Sequence, residues 1–150
     1  MTPEIRTVRA ELDDLAALVP LFDAYRRFYA QPSDRDGART FLADRLKRGE
    51  SVIFLAVADG IIVGFTQLYP SFSSVSMTRS WILNDLFVAT EARASGVGRA
   101  LVERAERWAA ETGAKGLTLA TQMTNLTARG LYEACGWTKD EEFFHYRRSL

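Results

Sequence analysis

Hydrophobic and polar positions divide this chain into alternating short-period and long-period stretches. Residues 4–9 (EIRTVR) alternate, the period-two signature of a short strand. From Asp13 to Ala30 the apolar residues fall at Leu15, Leu18, Phe22, Tyr25 and Tyr29, a three-four spacing that predicts a helix with one buried stripe. Pro32 ends that helix, and Ser33 or Asp34 caps a second one that reaches Arg48 and stops at Gly49. The run SVIFLAVADGIIVGFTQLY reads as a hairpin, two β-branched and aromatic strands joined at Asp59-Gly60. A serine-rich loop (PSFSSVSMTRS) leads to a third long strand, WILNDLFV. Next comes an amphipathic helix with Val97, Leu101, Val102, Ala105, Trp108 and Ala109 on its inner side, closed by Gly113. GLTLATQ is a strand, Asn125 to Cys135 a short helix ended by Gly136, and FFHYRRS a last strand. The order β-α-α-β-β-β-α-β-α-β predicts a mixed α/β (α+β) fold, with 1–150 as a single domain.

Composition narrows the partners. Nineteen Lys and Arg balance nineteen Asp and Glu, whereas a reader of phosphate backbones carries a basic excess, so no nucleic-acid partner is expected. Nothing approaches the roughly 20 apolar residues of a spanning helix, and the N-terminal stretch has no signal-peptide core, so no membrane partner and a cytoplasmic location are expected. The single cysteine, Cys135, excludes an internal disulfide framework and a cysteine-based zinc site, and no metal is expected.

The chemistry concentrates where WILNDLFV hands over, through Arg93-Ala94-Ser95-Gly96-Val97-Gly98, to the long helix. Such a junction bares main-chain N–H groups at a helix start and favours an anion. A Walker A loop is absent, since no Gly-x4-Gly-Lys-Ser/Thr occurs. The dinucleotide fingerprint is half present: the third glycine position holds Leu101, and the next strand ends at Thr121-Gln122 without a ribose-binding carboxylate. A pyrophosphate held by successive amides with an arginine just upstream fits Arg-x-x-Gly-x-Gly, because glycine lets the backbone approach a phosphate closely. A plain helix-entry turn is the alternative that the motif alone leaves open.

Two motifs together resemble the GNAT superfamily of acetyl-CoA-dependent N-acetyltransferases. One is Arg93-x-x-Gly96-x-Gly98 preceded by LNDLFV; the other is Asn125-x-x-Ala128-x-x-Leu131-Tyr132-Glu133-x-x-Gly136-Trp137. The segments DAYRRFY and QLYPSFSSVSM are similar to a branch that includes histone, polyamine and D-amino-acid acetyltransferase-like proteins. The resemblance implies a central sheet splayed in the middle and direct transfer of acetyl from acetyl-CoA to a primary amine in a ternary complex. A small amine or amino acid is the favoured acceptor, with a protein lysine or N-terminus as the alternative. A non-catalytic acyl-CoA-binding module and a nicotinamide-dependent oxidoreductase are the rival classes, and a homodimer is one oligomeric option the resemblance offers.

The resemblance also implies residue roles. Ser95, Gly96, Val97, Gly98 and Arg99 grip the pyrophosphate, with Arg93 beside them; Asn125 bonds the pantetheine arm. Main-chain N–H groups near Phe87 and Val88 stabilise the thioester oxygen. Tyr132, seven residues after Asn125 and so on the same helix face, protonates the leaving thiolate. Asp85 stands out from the residues themselves, a carboxylate in mid-strand where β-propensity disfavours it and where an unpaired charge is costly. It reads as an ammonium anchor or a base acting through water; a structural pair with an arginine such as Arg79 is the alternative. Asn84 beside it stands where some polyamine-acetylating relatives have a second acid. Phe28, Tyr29, Phe72 and Ser73 are expected to wall the acceptor pocket next to Asp85. His145 reads as packed in the last strand, Cys135 as inert, and Asp140-Glu141-Glu142 as a solvated turn, with attraction of cationic substrates to the site as its functional alternative.

Overall fold

The computed structural model describes residues 3–150. The chain runs β1 (Ile5–Arg9), α1 (Leu15–Phe28), α2 (Arg35–Lys47), β2 (Val52–Ala58), β3 (Ile61–Ser73), β4 (Thr78–Val88), α3 (Val97–Glu111), β5 (Leu117–Thr118) and α4 (Leu126–Ala134). The sheet order is β1-β2-β3-β4-β5, antiparallel except for the parallel pair β4–β5. The backbone divides after Ala120 into two compact units, the second being Thr121–Leu150.

Local chemistry explains most of the first unit. Asp59 and Gly60 both take positive φ, 51° and 75°, the turn that matches the twist of the strands it joins. Asp34 caps α2 by accepting from the Gly37 N–H at 2.9 Å. Leu15, Leu18, Val19 and Phe22 of α1, with Ala38 and Leu42 of α2, pack on the face of the sheet that shows Ile53, Leu55, Phe65 and Phe87. The opposite face meets α3, where Trp108 touches Phe54 and Trp81 at 5.9 Å between ring centroids. Gly64 allows that close approach: a Cβ there would stand 2.9 Å from the Phe87 carbonyl oxygen and 3.0 Å from Val97 Cγ1.

Three elements differ from the sequence expectation. The serine-rich loop shrinks to residues 74–77, since β3 runs on through Pro70 to Ser73 and β4 starts at Thr78. β5 pairs over only two residues, Leu117 with Trp81 and Thr118 with Ile82. Residues 143–149, expected as a closing strand, form none.

The β3–β4 register carries the feature that matters most for chemistry. Gln67 faces Asp85, but Leu68 faces Leu83, so Asn84 is an extra residue in β4 and makes a bulge. A bulge resets the alternation of side chains. Trp81 therefore turns to α3, while Asp85 and Phe87 turn to α1.

Candidate active site

Asp85 is buried at 5% exposure and held by three donors. The Tyr25 hydroxyl donates to Oδ1 at 2.8 Å, Asn84 Nδ2 to the same oxygen at 3.0 Å, and Gln67 Nε2 to Oδ2 at 2.5 Å. Burial nevertheless dominates and pushes the Asp85 carboxyl above its ordinary range, with the Gln67, Tyr25 and Asn84 bonds pulling it back. Desolvation and the carboxylate together push the Tyr25 phenol upward, and the Tyr69 phenol is pushed up to about 12 by the same two causes. Gln67 Oε1 is buried without a partner among the described residues. Arg79 plays no part here; its guanidinium lies over the rings of Phe72 and Trp81, at 5.0 and 5.3 Å. The arginine-paired reading of Asp85 is thereby replaced by a polar cluster.

Aromatic rings wall this cluster. Tyr29 stands 5.2 Å from both Tyr25 and Phe28, and Phe87 lies 5.8 Å from Tyr25 and 6.3 Å from Phe28. Tyr29 thus stands one ring contact from Tyr25, which bonds Asp85, and Phe28 lies beyond Tyr29 and Phe87. Phe72 and Ser73 are not brought to the site: they pair with Arg79 and Thr78, six and seven residues down β4 from Asp85, on the order of 20 Å away at strand rise. Phe72 is 71% exposed, and Ser73 Oγ accepts from the Ser76 N–H within its own turn.

At the far end of β4 the Ala89 N–H donates to the Val63 carbonyl at 2.8 Å. Amides along an antiparallel strand alternate in direction, so the Phe87 N–H belongs to the β3 ladder, while the Leu86 and Val88 N–H groups point to the β5 side. There β5 has already stopped pairing, at Ile82–Thr118. Of the two amides expected to meet a thioester oxygen, the register leaves Val88. Arg93 returns to this end, its Nε donating to the Val88 carbonyl at 3.1 Å and its guanidinium lying over Phe87 and Phe28.

Ala94 and Gly96 take positive φ, 61° and 85°, to enter α3. Ser95 Oγ donates to the Ala92 carbonyl. The Ala100 N–H makes the first helical bond, to the Gly96 carbonyl at 3.0 Å, so the amides of Val97, Gly98 and Arg99 open the helix without one. Nothing lies within 4 Å of where a Gly96 side chain would project. Three free donors, open space and the positive end of a fifteen-residue helix fit a pyrophosphate. Arg99, paired with Glu103 at 3.0 Å, sits beside them at the surface.

In the second unit Asn125 caps α4, its Oδ1 accepting from the Ala128 N–H at 3.1 Å; Nδ2 is its remaining donor group. Tyr132 is the buried residue of α4 and packs against Trp137 at 5.8 Å. His145 is exposed, outside any strand, with Nε2 3.2 Å from Asp140 Oδ2. Cys135, the single cysteine of the sequence, is half-buried.

A groove of about 870 Å³ at the opposite end of the sheet, lined by Arg9, Trp81, Trp108 and Thr112 among others, holds none of these groups. No cluster of metal-binding side chains occurs among the described residues, and no helix among them is long and apolar enough to cross a membrane. Sequence reading missed Tyr25 and Gln67 as parts of the site. A glutamine inside the apolar run IIVGFTQLY was the available signal, of the same kind that marked Asp85.

A helix start with open amides, a strand edge left where a parallel pair ends and a buried carboxylate beside a bulge are the features of this chain that bear on chemistry. The chain matches the model of the acetyltransferase (GNAT) family over residues 18–137 and belongs to that family. It is 52% identical over 138 residues to the uncharacterized N-acetyltransferase YhfO of Bacillus subtilis, covering 92% of this chain and 93% of that one. A crystal structure of a probable acetyltransferase superposes with a TM-score of 0.93 at 46% identity, over 97% of each chain. An aminoglycoside N(6')-acetyltransferase type 1 of Stenotrophomonas maltophilia is 30% identical over 121 residues, 78% of this chain and 79% of that one. The protein is an acetyl-CoA-dependent acetyltransferase.

Proposed function

We propose that residues 1–150 act as one N-acetyltransferase domain that moves acetyl from acetyl-CoA to the primary amine of a small molecule, by direct attack. The observation that carries this reading is the Asp85 cluster: a buried carboxylate beside an unpartnered Gln67 Oε1, two acceptors under an aromatic wall. That is a site for an N–H-rich cation. The similarity to an aminoglycoside N(6')-acetyltransferase, named for acetylating an amino group of an aminoglycoside, supports the same class.

In this reading the amides of Val97, Gly98 and Arg99 hold the pyrophosphate and Asn125 Nδ2 orients the pantetheine arm. The Val88 N–H faces the thioester oxygen as it gains charge, a contribution of about 2.7–4 kcal/mol for a preorganised donor. Asp85 anchors the ammonium and takes up its proton, directly or through water. A carboxyl raised by burial is the better base for that step. Tyr132 donates to the departing sulfur.

Coenzyme A release measured across amines, amino acids and lysine peptides tests the substrate class. With the best amine, Asp85→Asn should lower kcat/KM by about 10²–10⁴ and leave the KM for acetyl-CoA unchanged. A variant as fast as the parent would remove Asp85 from the site, and turnover of lysine peptides alone would remove the small-molecule reading.

A further inference from the structure

The groove at the end of the sheet remote from Asp85 encloses about 870 Å³, within the range of small-molecule sites. Separate stretches of the first unit build it. β1 ends in Arg9, β4 brings Arg79 and Trp81 near its start, α3 brings Trp108 in its last turn, and Ser51 leads into β2. The two arginines lie over the two indoles. Arg9 stands 4.7 Å from the Trp108 ring centroid and Arg79 5.3 Å from that of Trp81, and the indoles meet at 5.9 Å. Stacking holds each guanidinium in place and leaves its N–H fork free.

The charges in this groove do not pair with one another. Arg9 and Arg79 have no carboxylate within ion-pair distance among the described residues, and Glu11 and Asp13, which line the same groove, have no cation. Arg9 and Glu11 are two residues apart, so their Cα atoms lie within about 7 Å. Opposite charges set that close without touching complement a ligand that carries both signs at one end. Two buried donors are also open. Trp81 Nε1 is satisfied by Thr112 Oγ1 at 2.9 Å, but Trp108 Nε1 and Ser51 Oγ have no partner among the described residues. Ser51 is only 4% exposed, and a buried polar atom without a bond is an exception that an acceptor from a ligand removes. Leu46 and Val52 add apolar surface to the same lining.

We infer that this groove binds a zwitterionic α-amino acid with a large apolar side chain. Its carboxylate lies on the side of Arg9 and Ser51, its ammonium on the side of Glu11 and Asp13, and its side chain against the indoles and Leu46. The ligand is not the reacting amine. Trp81 precedes Asp85 by four residues of β4, about 13 Å at strand rise, and the bulge at Asn84 turns the two to opposite faces of the sheet. The assignment therefore stands apart from the acceptor chemistry of Asp85.

Titration calorimetry with L-phenylalanine and L-leucine tests this, with 3-phenylpropionate and 2-phenylethylamine as analogues that each lack one charge. At least one of the amino acids should bind, once per chain. Each singly charged analogue should bind about tenfold or more weakly than L-phenylalanine, the usual loss when a charge-assisted bond goes. Arg9→Ala and, separately, Glu11→Gln should weaken the amino acid by a similar factor and leave kcat/KM with the best amine unchanged. Asp85→Asn should leave this binding as it is, whatever that substitution does to turnover. No saturable heat with either amino acid, 3-phenylpropionate binding as tightly as L-phenylalanine, or binding lost in Asp85→Asn and kept in both groove variants would each overturn the assignment.

Discussion

Asp85 is a residue that breaks a local rule in the sequence and that the structure buries, and its protonation bears on stability as well as on the proposed chemistry. Burial raises its native pKa, so between the ordinary carboxylate range and that higher value the folded chain holds a proton the unfolded chain has lost. Stability must therefore fall as pH rises through that window and level off above it. Asparagine cannot titrate. Thermal unfolding against pH should show the parent losing ground to Asp85→Asn through that window, by about 1.4 kcal/mol for each unit of the native shift. At this chain length that is about 2–4 °C for each kcal/mol. Parallel curves for the two proteins would mean that Asp85 is solvated as in a peptide. The carboxylate was legible in the sequence because a charge in the middle of WILNDLFV breaks a local rule. Its partners were not. Tyr25 is 60 positions away and Gln67 is 18, and only the fold and the bulge at Asn84 bring them within bonding distance.

Among the elements, those whose stops and periods are local were readable: the Asp59-Gly60 hairpin, the Asp34 cap and the apolar stripe of α3. Those that depend on a neighbour were not. Pro70 hid the continuation of β3, since proline reads as a break although a residue opposite Trp81 still pairs. The run 116–122 has strand composition but finds a partner only at Leu117 and Thr118. Residues 143–149 have the pattern and no strand within the chain. β4 and α3 meet across Gly64, and a prediction belongs to that contact. Gly64→Ala would press a methyl against the Phe87 carbonyl and Val97, costing about 1–3 kcal/mol as an overpacked core does. Because Val97 opens the helix whose amides are proposed to hold the pyrophosphate, the KM for acetyl-CoA should rise as well. A lower melting temperature with unchanged KM would show that the strain relaxes away from the helix start.

For the molecule as a whole, the element order placed the chain among mixed α/β folds before any contact was known, because most of its strands and helices announce themselves locally. Charge is the other whole-molecule property, and it was legible without structure: nineteen cationic side chains against nineteen anionic ones. A protein with no net charge has no long-range monopole field to gather a cationic amine, and Asp85, the proposed ammonium anchor, is buried. In the proposed reading, recognition of the amine rests on contacts made after arrival, inside the cluster of Tyr25, Gln67 and Asp85, where salt screens weakly. Raising ionic strength from about 0.02 M to 0.5 M should leave kcat/KM for a monocationic amine within about twofold, against the 10–10³ enhancement that steering supplies elsewhere. The measurement is initial-rate kinetics at saturating acetyl-CoA. A steep loss of kcat/KM with salt would place the decisive attraction outside the buried cluster, on surface acids such as Asp140, Glu141 and Glu142, and would return those three residues to the substrate path.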